Sequence, residues 1–400
     1  MTLTALSRRY RLTVLGMNSG TSADGVDLSV LRFTTNPSGP AIRFVAGHMV
    51  RYPKALRTAV LSAASMASAD IGSILHLDNA LGQFYGRTAE ALMLKLRRQG
   101  IAIDAVASHG QTVRHLPRKI SFAGYRVNGT MQLGSLDCIA VATGLPVVGD
   151  FRQADIALGH EGAPITVAAM AKLFGHPQES RVIVNIGGMA NFFYFPSDRS
   201  GLDVQAADTG PGNVLCDLLA SRLFGKSYDS RGHFAMRGAV SERLLSILLS
   251  HGFFGGRRMS TGREEFGPAL IADIVKIGRR LRLAKYDLMA TAAELTVARI
   301  YTRLKPIVQR DRRVDKLYLT GGGVHNAYFK RRLAELFPGL SIESISSLGI
   351  DPGLVEASSY AAMGYACLRS EPLQTRFVPG QKQRMLPVLG KIVQPPTRMA

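Results

Sequence analysis

Four hundred residues, 46% of them apolar and 20% charged, are more than one hydrophobic core needs, so two lobes of roughly 150–200 residues each are the default expectation. The net charge of +20 raises nucleic-acid binding as a reading, but the basic residues fall in short groups without interleaved aromatics (Lys95, Arg97 and Arg98; Arg257 and Arg258; Arg279, Arg280, Arg282 and Lys285; Arg310, Arg312 and Arg313), which suits a basic solvated surface better. Cys138, Cys216 and Cys367 are too widely spaced for a disulfide framework or a metal pair, and no run approaches the ~18 uninterrupted apolar residues of a membrane span; a cytoplasmic protein with neither membrane nor nucleic-acid partner is expected, a homodimer being left open.

Arg11 to Gly16 reads as a short apolar strand, followed by a Gly/Ser/Thr turn and an alternating strand from Val26 to Phe33. Ile42 to Val50 reads as a third strand. Ile71 to Arg98 has helical spacing and stops at Gly100. Ala102 to Ser108 reads as a buried strand ending on polar residues, and Val141 to Asp150 as another. A second block opens with Arg181 to Asn185, which turns at Gly187-Gly188 into Phe192 to Phe195. Asp208 to Gly212 reads as a turn opening a helix from Asn213 to Leu223. Further helices are expected over Val240–Ser250, Pro268–Leu283 and Met289–Val308. Leu317 to Thr320 is a last strand before Gly321-Gly322-Gly323. One strand–turn–strand unit near the start of each block suggests a duplicated α/β architecture. Its division is expected near Asp150: an N-terminal lobe over 1–149, with the tail from about 372 to 400 a candidate to pack back on it, and a C-terminal lobe over 150–371.

Five turns carry the chemistry. In the first, Gly20, Thr21, Ser22, Ala23, Asp24, Gly25, Val26 and Asp27 combine small residues, which let backbone N–H groups approach a phosphate, with two carboxylates suited to a hydrated, phosphate-bound Mg²⁺. A plain Asp-Gly hairpin is the bland alternative, and no Gly-Lys-Ser/Thr makes it a P-loop. The second is polar: Ser108, His109, Gln111, Thr112, Arg114 and His115, at a strand end where α/β proteins place ligand groups. The third contains Arg152, suited to a transferring phosphoryl group, with Asp155, Glu161 and Gly162 after it. The fourth pairs Gly187-Gly188 with Asp208-Thr-Gly210-Pro-Gly212-Asn213. Asp208 reads either as a helix N-cap or as a catalytic base held near phosphates, and the glycine crowding favours the base. The fifth is Gly321, Gly322 and Gly323, flat enough to receive a nucleotide.

Together, Asn18-Ser-Gly-Thr-Ser-Ala-Asp-Gly-Val-Asp27, Ser108-His-Gly-Gln-Thr112, Asp150-Phe-Arg152, Gly162-Ala-Pro164, Asn185-Ile-Gly-Gly188, Asp208-Thr-Gly-Pro-Gly-Asn213, Ser260-Thr-Gly-Arg-Glu264 and Gly321-Gly-Gly323 resemble the kinases of anhydro sugars, the anhydro-N-acetylmuramic acid kinase and levoglucosan kinase families. The motifs stand in family order over about residues 12–370. The resemblance implies an α/β, two-lobed, duplicated actin-like ATPase (ribonuclease H-like) fold with a nucleotide cleft between the lobes. It implies ATP and Mg²⁺ as cofactors and a small-molecule anhydro sugar as partner.

By the same resemblance, Asp208 activates water to open a 1,6-anhydro bridge and the freed O6 takes the γ-phosphoryl group, giving N-acetylmuramate 6-phosphate for cell-wall sugar recycling. Glu356 matches a family glutamate near water, metal and sugar, with Asp24 as a companion metal ligand. Gly187, Gly188, Gly210, Gly212, Asn213 and Gly321 to Gly323 join the hairpin residues in nucleotide binding. Ser108, His109, Gln111, Arg114, Arg152 and Asp155 fall to the substrate. Glu161 departs from the usual family glutamine. Arg114-His115-Leu-Pro117 and Gln132-Leu-Gly134 resemble the muramic acid enzyme, and an arginine suits its lactyl carboxylate. Gly16-Met-Asn18-Ser and Val388-Leu-Gly-Lys391 resemble levoglucosan kinase. A non-catalytic ATP-binding switch is the alternative of another class.

Overall fold

The structure is a computed structural model that describes residues 3–36, 40–65, 70–198, 203–250, 266–375, 377 and 383–397. The expected Ser260–Glu264 motif and the Arg257–Arg258 pair lie outside the described residues. The chain forms two compact units, one of residues 1–173, 354–376 and 381–400, the other of 174–353 and 377–380.

In the first unit the elements are α1 (Leu3–Ser7), β1 (Arg11–Ser19), β2 (Gly25–Thr34), β3 (Ala41–Arg51), α2 (Lys54–Ser65), α3 (Ile71–Arg97), β4 (Ala105–Phe122), β5 (Tyr125–Leu133), α4 (Leu136–Thr143), β6 (Val147–Gly149), α5 (Gln153–Ala157) and α6 (Thr166–Phe174). The second unit carries β7 (Arg181–Ile186), β8 (Met189–Phe195), β9 (Gln205–Pro211), α7 (Val214–Phe224), α8 (Glu242–Leu249), α9 (Pro268–Arg280), α10 (Lys285–Arg310), β10 (Lys316–Thr320), α11 (Ala327–Leu336) and β11 (Ser341–Ser344). The chain then returns to the first unit with α12 (Val355–Leu368) and β12 (Lys391–Val393).

The two sheets share one topology. The first runs β3-β2-β1-β4-β6-β12, with β5 attached to β4, and the second β9-β8-β7-β10-β11. In each, three antiparallel strands come first and two parallel strands are added beside the first of them. This repeated order is the duplicated ribonuclease H-like arrangement, so the fold is α/β as the sequence indicates.

β1 is buried on both faces and therefore reads as one apolar run rather than an alternation. Leu15 and Met17 join the core with Leu81 and Tyr85 of α3. On the other face α12 comes so close that a Cβ on Gly16 would lie 2.0 Å from the Ala357 carbonyl oxygen. Small residues continue the seam: Ser29 and Ser358 share a 2.7 Å hydrogen bond. This contact draws residues 354–371 into the first unit, although the sequence places them with the second block; most of the tail after them also belongs to the first unit. At the other division, residues 150–173 also belong to the first unit, past the expected break near 150.

Three expected elements differ. The strand ending at Ser108 continues to Phe122 and folds back as β5, turning at Ala123 and Gly124, both with positive φ (49° and 84°), the geometry of a tight hairpin. Val141 to Thr143 is helical, because Ser135 caps α4 and Gly144 ends it in the left-handed region. Asp208 lies inside β9 rather than in a turn.

Candidate functional site

In the first unit the β1–β2 hairpin is held from behind. A buried chain of side chains runs from Tyr85 through Tyr52 (2.5 Å) and Ser19 (2.8 Å) to Gln111 Oε1 (2.6 Å). Gln111 Nε2 then donates to the Gly20 carbonyl at 3.2 Å. Burial drives both tyrosine hydroxyls upward in pKa, so they remain neutral hydrogen-bonding groups at neutral pH. Gln111, expected at the substrate, is thus spent on the hairpin backbone. Thr21, Ser22 and Asp24 at its tip are at least partly exposed, and Ala23 takes φ of 52°. Asp24 pairs with Arg57 at 3.1 Å, an exposed pair of little energetic weight.

Asn18 faces α12. Its Nδ2 donates to Glu356 Oε2 at 2.7 Å, and Asp27 lies across from it in the β1–β2 register, so both side chains project from the same face of the sheet. Glu356 stands in the first turn of α12 and is exposed, where the helix dipole favours a carboxylate. The sequence shows Glu356 as an ordinary helix residue; its link to Asn18 spans more than three hundred positions and leaves no local signal. Among the described residues no three His, Cys, Asp or Glu side chains gather into a metal cage. Glu356 and Asp27 still fit Mg²⁺, which takes one or two carboxylates and completes its shell with waters and phosphate oxygens. Asp24, expected as the companion ligand, contacts Arg57 in this structure.

His109, Arg152 and Tyr360 form a second group on the same side of the sheet. Arg152 Nε donates to His109 Nε2 at 3.0 Å, and its Nη1 to the Gly162 carbonyl at 2.7 Å. The Tyr360 ring, one helical turn after Glu356, stacks on His109 at 4.4 Å. Burial, and then the Arg152 charge, hold His109 well below the usual histidine range; the same two causes lower His115, with Glu161 opposing them. Asp155 is buried and accepts from Gly162 N (2.9 Å) while contacting His160 Nδ1 (2.8 Å). It shapes the loop rather than facing a ligand. Ser108 Oγ is buried without a protein partner, and Arg114 is half-buried on β4.

The second unit brings three glycine turns together. Gly212 N and Val214 N donate to the Gly188 carbonyl (2.9 and 3.1 Å), and Asn213 N to that of Gly187 (2.8 Å). The Asn213 amide adds bonds to the carbonyls of Ile186 and Gly187, both at 3.0 Å. A Cβ on Gly212 would meet the Gly187 oxygen at 2.4 Å, so no larger residue fits. Thr320 pairs with Asn185 between β10 and β7, which brings Gly321 beside this zipper; its φ of 73° and the Asn185 side chain at 2.4 Å require glycine there. Gly322 and Gly323 begin the short helix that follows.

Asp208 lies two residues before Gly210, opposite Asn191 on β8. Thr296 Oγ1 donates to the carbonyls of Pro211 (3.0 Å) and Gly212 (3.1 Å), and Arg299 Nε to that of Thr209 (3.2 Å), so α10 fixes the backbone just after Asp208. The N-cap of α7 is Asn213, five residues beyond Asp208, which removes the capping reading for the aspartate.

Comparison with known proteins agrees with these motifs. The profile of the family described as "Anhydro-N-acetylmuramic acid kinase" matches residues 12–395. The anhydro-N-acetylmuramic acid kinase of Salinibacter ruber is 36% identical over 387 residues, covering 96% of each chain. That of Shewanella pealeana is 35% identical over 88% of this chain and 91% of its own, and that of a Cyanothece strain 34% identical over 95% and 98%. With the motif residues in place on both sheets and a match over nearly the whole length, the chain belongs to the anhydro-N-acetylmuramic acid kinase family.

Proposed function

We propose that the protein is an ATP-dependent kinase that opens the 1,6-anhydro bridge of anhydro-N-acetylmuramic acid and phosphorylates O6. The observation that carries this is the family match over residues 12–395, together with an aspartate at 208 held by fixed backbone two residues before the glycine turns.

In this reading Asp208 takes a proton from water as the water oxygen bonds to the anomeric carbon. The C1–O6 bond breaks, and the released O6 bonds to the γ-phosphorus of ATP as ADP leaves. The products are N-acetylmuramate 6-phosphate and ADP, a result suited to recycling cell-wall sugar. Backbone N–H groups of the β1–β2 hairpin approach the phosphates, with Gln111 holding that hairpin in shape. The zipped turns at Gly187–Gly188, Gly210–Asn213 and Gly321–Gly323 receive the rest of the nucleotide. Mg²⁺, when bound, offsets phosphate charge; Glu356 and Asp27 would hold it, Asn18 keeping Glu356 in orientation. Arg152 and Arg114 offer cationic donors to anionic oxygens of the substrates.

The test is phosphate transfer from ATP to purified anhydro-N-acetylmuramic acid and, separately, to levoglucosan. Transfer to the first with little to the second supports the reading. Activity on levoglucosan alone would assign the other substrate, and ATP consumption needing no sugar would favour a switch protein. The resemblance of Gly16 to levoglucosan kinase carries little weight for substrate choice, since packing against Ala357 accounts for that glycine.

A further inference from the structure

We propose that His109 is a positioning residue: its neutral imidazole accepts from Arg152 and turns the guanidinium so that its remaining edge meets an anionic oxygen of a substrate. This rests on the kinase reading above, which places Arg152 at the substrates.

The geometry fixes the tautomer. An arginine Nε carries a hydrogen and has nothing to accept with, so at 3.0 Å His109 Nε2 must present its lone pair. The ring proton then sits on Nδ1, an atom that is buried and lacks a partner of good hydrogen-bond geometry, the Gly110 backbone acting weakly on the ring. An imidazolium, a donor at both nitrogens, could not hold Arg152 in this way. Stacking on Tyr360 and the packing of Tyr360 on Phe151 (5.5 Å) fix the ring plane.

Arg152 is held entirely by neutral groups. Its Nε is taken by His109 and its Nη1 by the Gly162 carbonyl, while its charge and a hydrogen bond temper the burial-raised pKa of the Tyr360 hydroxyl. Among the described residues no carboxylate stands within ion-pair distance of it. Glu161 acts on His115 and Glu356 on Tyr360, and Asp78, Asp137 and Asp150 line the same cavity as His109, Asp78 accepting from Gly134 N and Asp150 paired with Lys391; none forms an ion pair with the guanidinium. A half-buried cation oriented by neutral acceptors is a receptor for an anion, and in this chemistry the candidates are the transferring phosphoryl group and the carboxylate of an acidic sugar. Sequence alone suggests His109 as a substrate contact; its Nε2 is already occupied.

The test combines a spectrum with a mutant cycle. Nitrogen-15 spectra of the protein's histidines, with the His109 signal assigned by its loss in His109→Gln, should show a neutral ring protonated at Nδ1 and unchanged as pH falls through the ordinary histidine value. A ring protonated at Nε2, or one titrating near the ordinary value, overturns the proposal whether or not the protein phosphorylates any sugar. In the active enzyme, His109→Leu should lower turnover about tenfold or more, the scale of losing a hydrogen bond to a charged group, and His109→Gln, which keeps an acceptor, should recover most of it. In an Arg152→Ala background His109→Leu should add no further loss; multiplying defects would show that His109 acts elsewhere. A loss in kcat identifies the phosphoryl group as the anion, and a rise in KM for the sugar identifies the carboxylate. Failure of the wild-type enzyme to act on the sugar would count against the kinase reading, and the spectrum would still decide the role of His109.

Discussion

In the proposed reaction Asp208 is the base, and its surroundings leave it little freedom. It lies on a strand whose next residues are gripped by Thr296 and Arg299, so its carboxylate is aimed by backbone rather than by a flexible loop. Replacing it with asparagine keeps the shape and removes the base. Asp208→Asn should therefore lower kcat by about 10²–10⁴-fold, the range of general-base catalysis, while ATP affinity and the unfolding midpoint stay near wild type. Gln111 acts differently. Gln111→Leu removes the bonds to Ser19 Oγ and the Gly20 carbonyl, while Ser19 keeps Tyr52 and the Gly25 carbonyl and Gly20 keeps the Ala23 amide; at about 0.5–1.5 kcal/mol per lost bond it should lower the unfolding midpoint modestly and raise KM for ATP. Those two residues also mark what a sequence discloses. Asp208 was legible as a functional candidate from the glycines that follow it. The hairpin-holding role of Gln111 was not, because it depends on Ser19 and Gly20, some ninety positions away.

Among the elements, α12 fits closely against β1 and β4. A Cβ at Gly16 would enter the Ala357 carbonyl, and one at Gly364 would lie 2.5 Å from Ala107 Cβ. Gly16→Ala should destabilise the first unit by about 1–3 kcal/mol through overpacking, measured by denaturant unfolding. Because Glu356 rides on this helix, it should also cut activity more than the stability loss alone explains; unchanged activity in the folded variant would speak against a role for Glu356. Strands β1, β2, β3, β7, β8 and β10 were readable from apolar runs and alternation, since burial on one or both faces writes itself into side-chain type, whereas β9, β11 and β12 were not. The β4–β5 hairpin was missed for the opposite reason. Ile120, Phe122, Tyr125 and Val127 are exposed at its end, so the pattern that reports burial is uninformative there, and the turn is set by backbone angles at Ala123 and Gly124.

Across the whole molecule, topology and charge set the remaining behaviour. The duplicated sheet order was suggested by two strand–turn–strand units, but the placement of α12 with the first unit was hidden, because a buried helix of small residues can pack on either sheet. Part of the excess positive charge stands in last turns of helices, at Lys95 and Arg97, Arg279 and Arg280, and Arg310, where it complements the helix dipole.

Protonation adds a global term. His109 and His115 both bind protons less readily in the folded chain than at the ordinary value of 6.5. Below that value the unfolded chain takes up protons that the folded chain refuses, so stability is present above about pH 6.5 and falls as pH drops through it. The unfolding midpoint should fall between about pH 7.5 and about pH 5.5, and His109→Gln should flatten that fall. A midpoint rising with acid would reverse the sign and contradict burial of the neutral ring.

The decisive measurement is turnover of anhydro-N-acetylmuramic acid with Mg-ATP in water enriched in oxygen-18. If Asp208 delivers water to the anomeric carbon and O6 takes the phosphoryl group, each ADP formed will accompany one sugar 6-phosphate carrying the heavy oxygen at C1. A phosphorylated product without the label, or ADP released with the anhydro sugar intact, would contradict that chemistry.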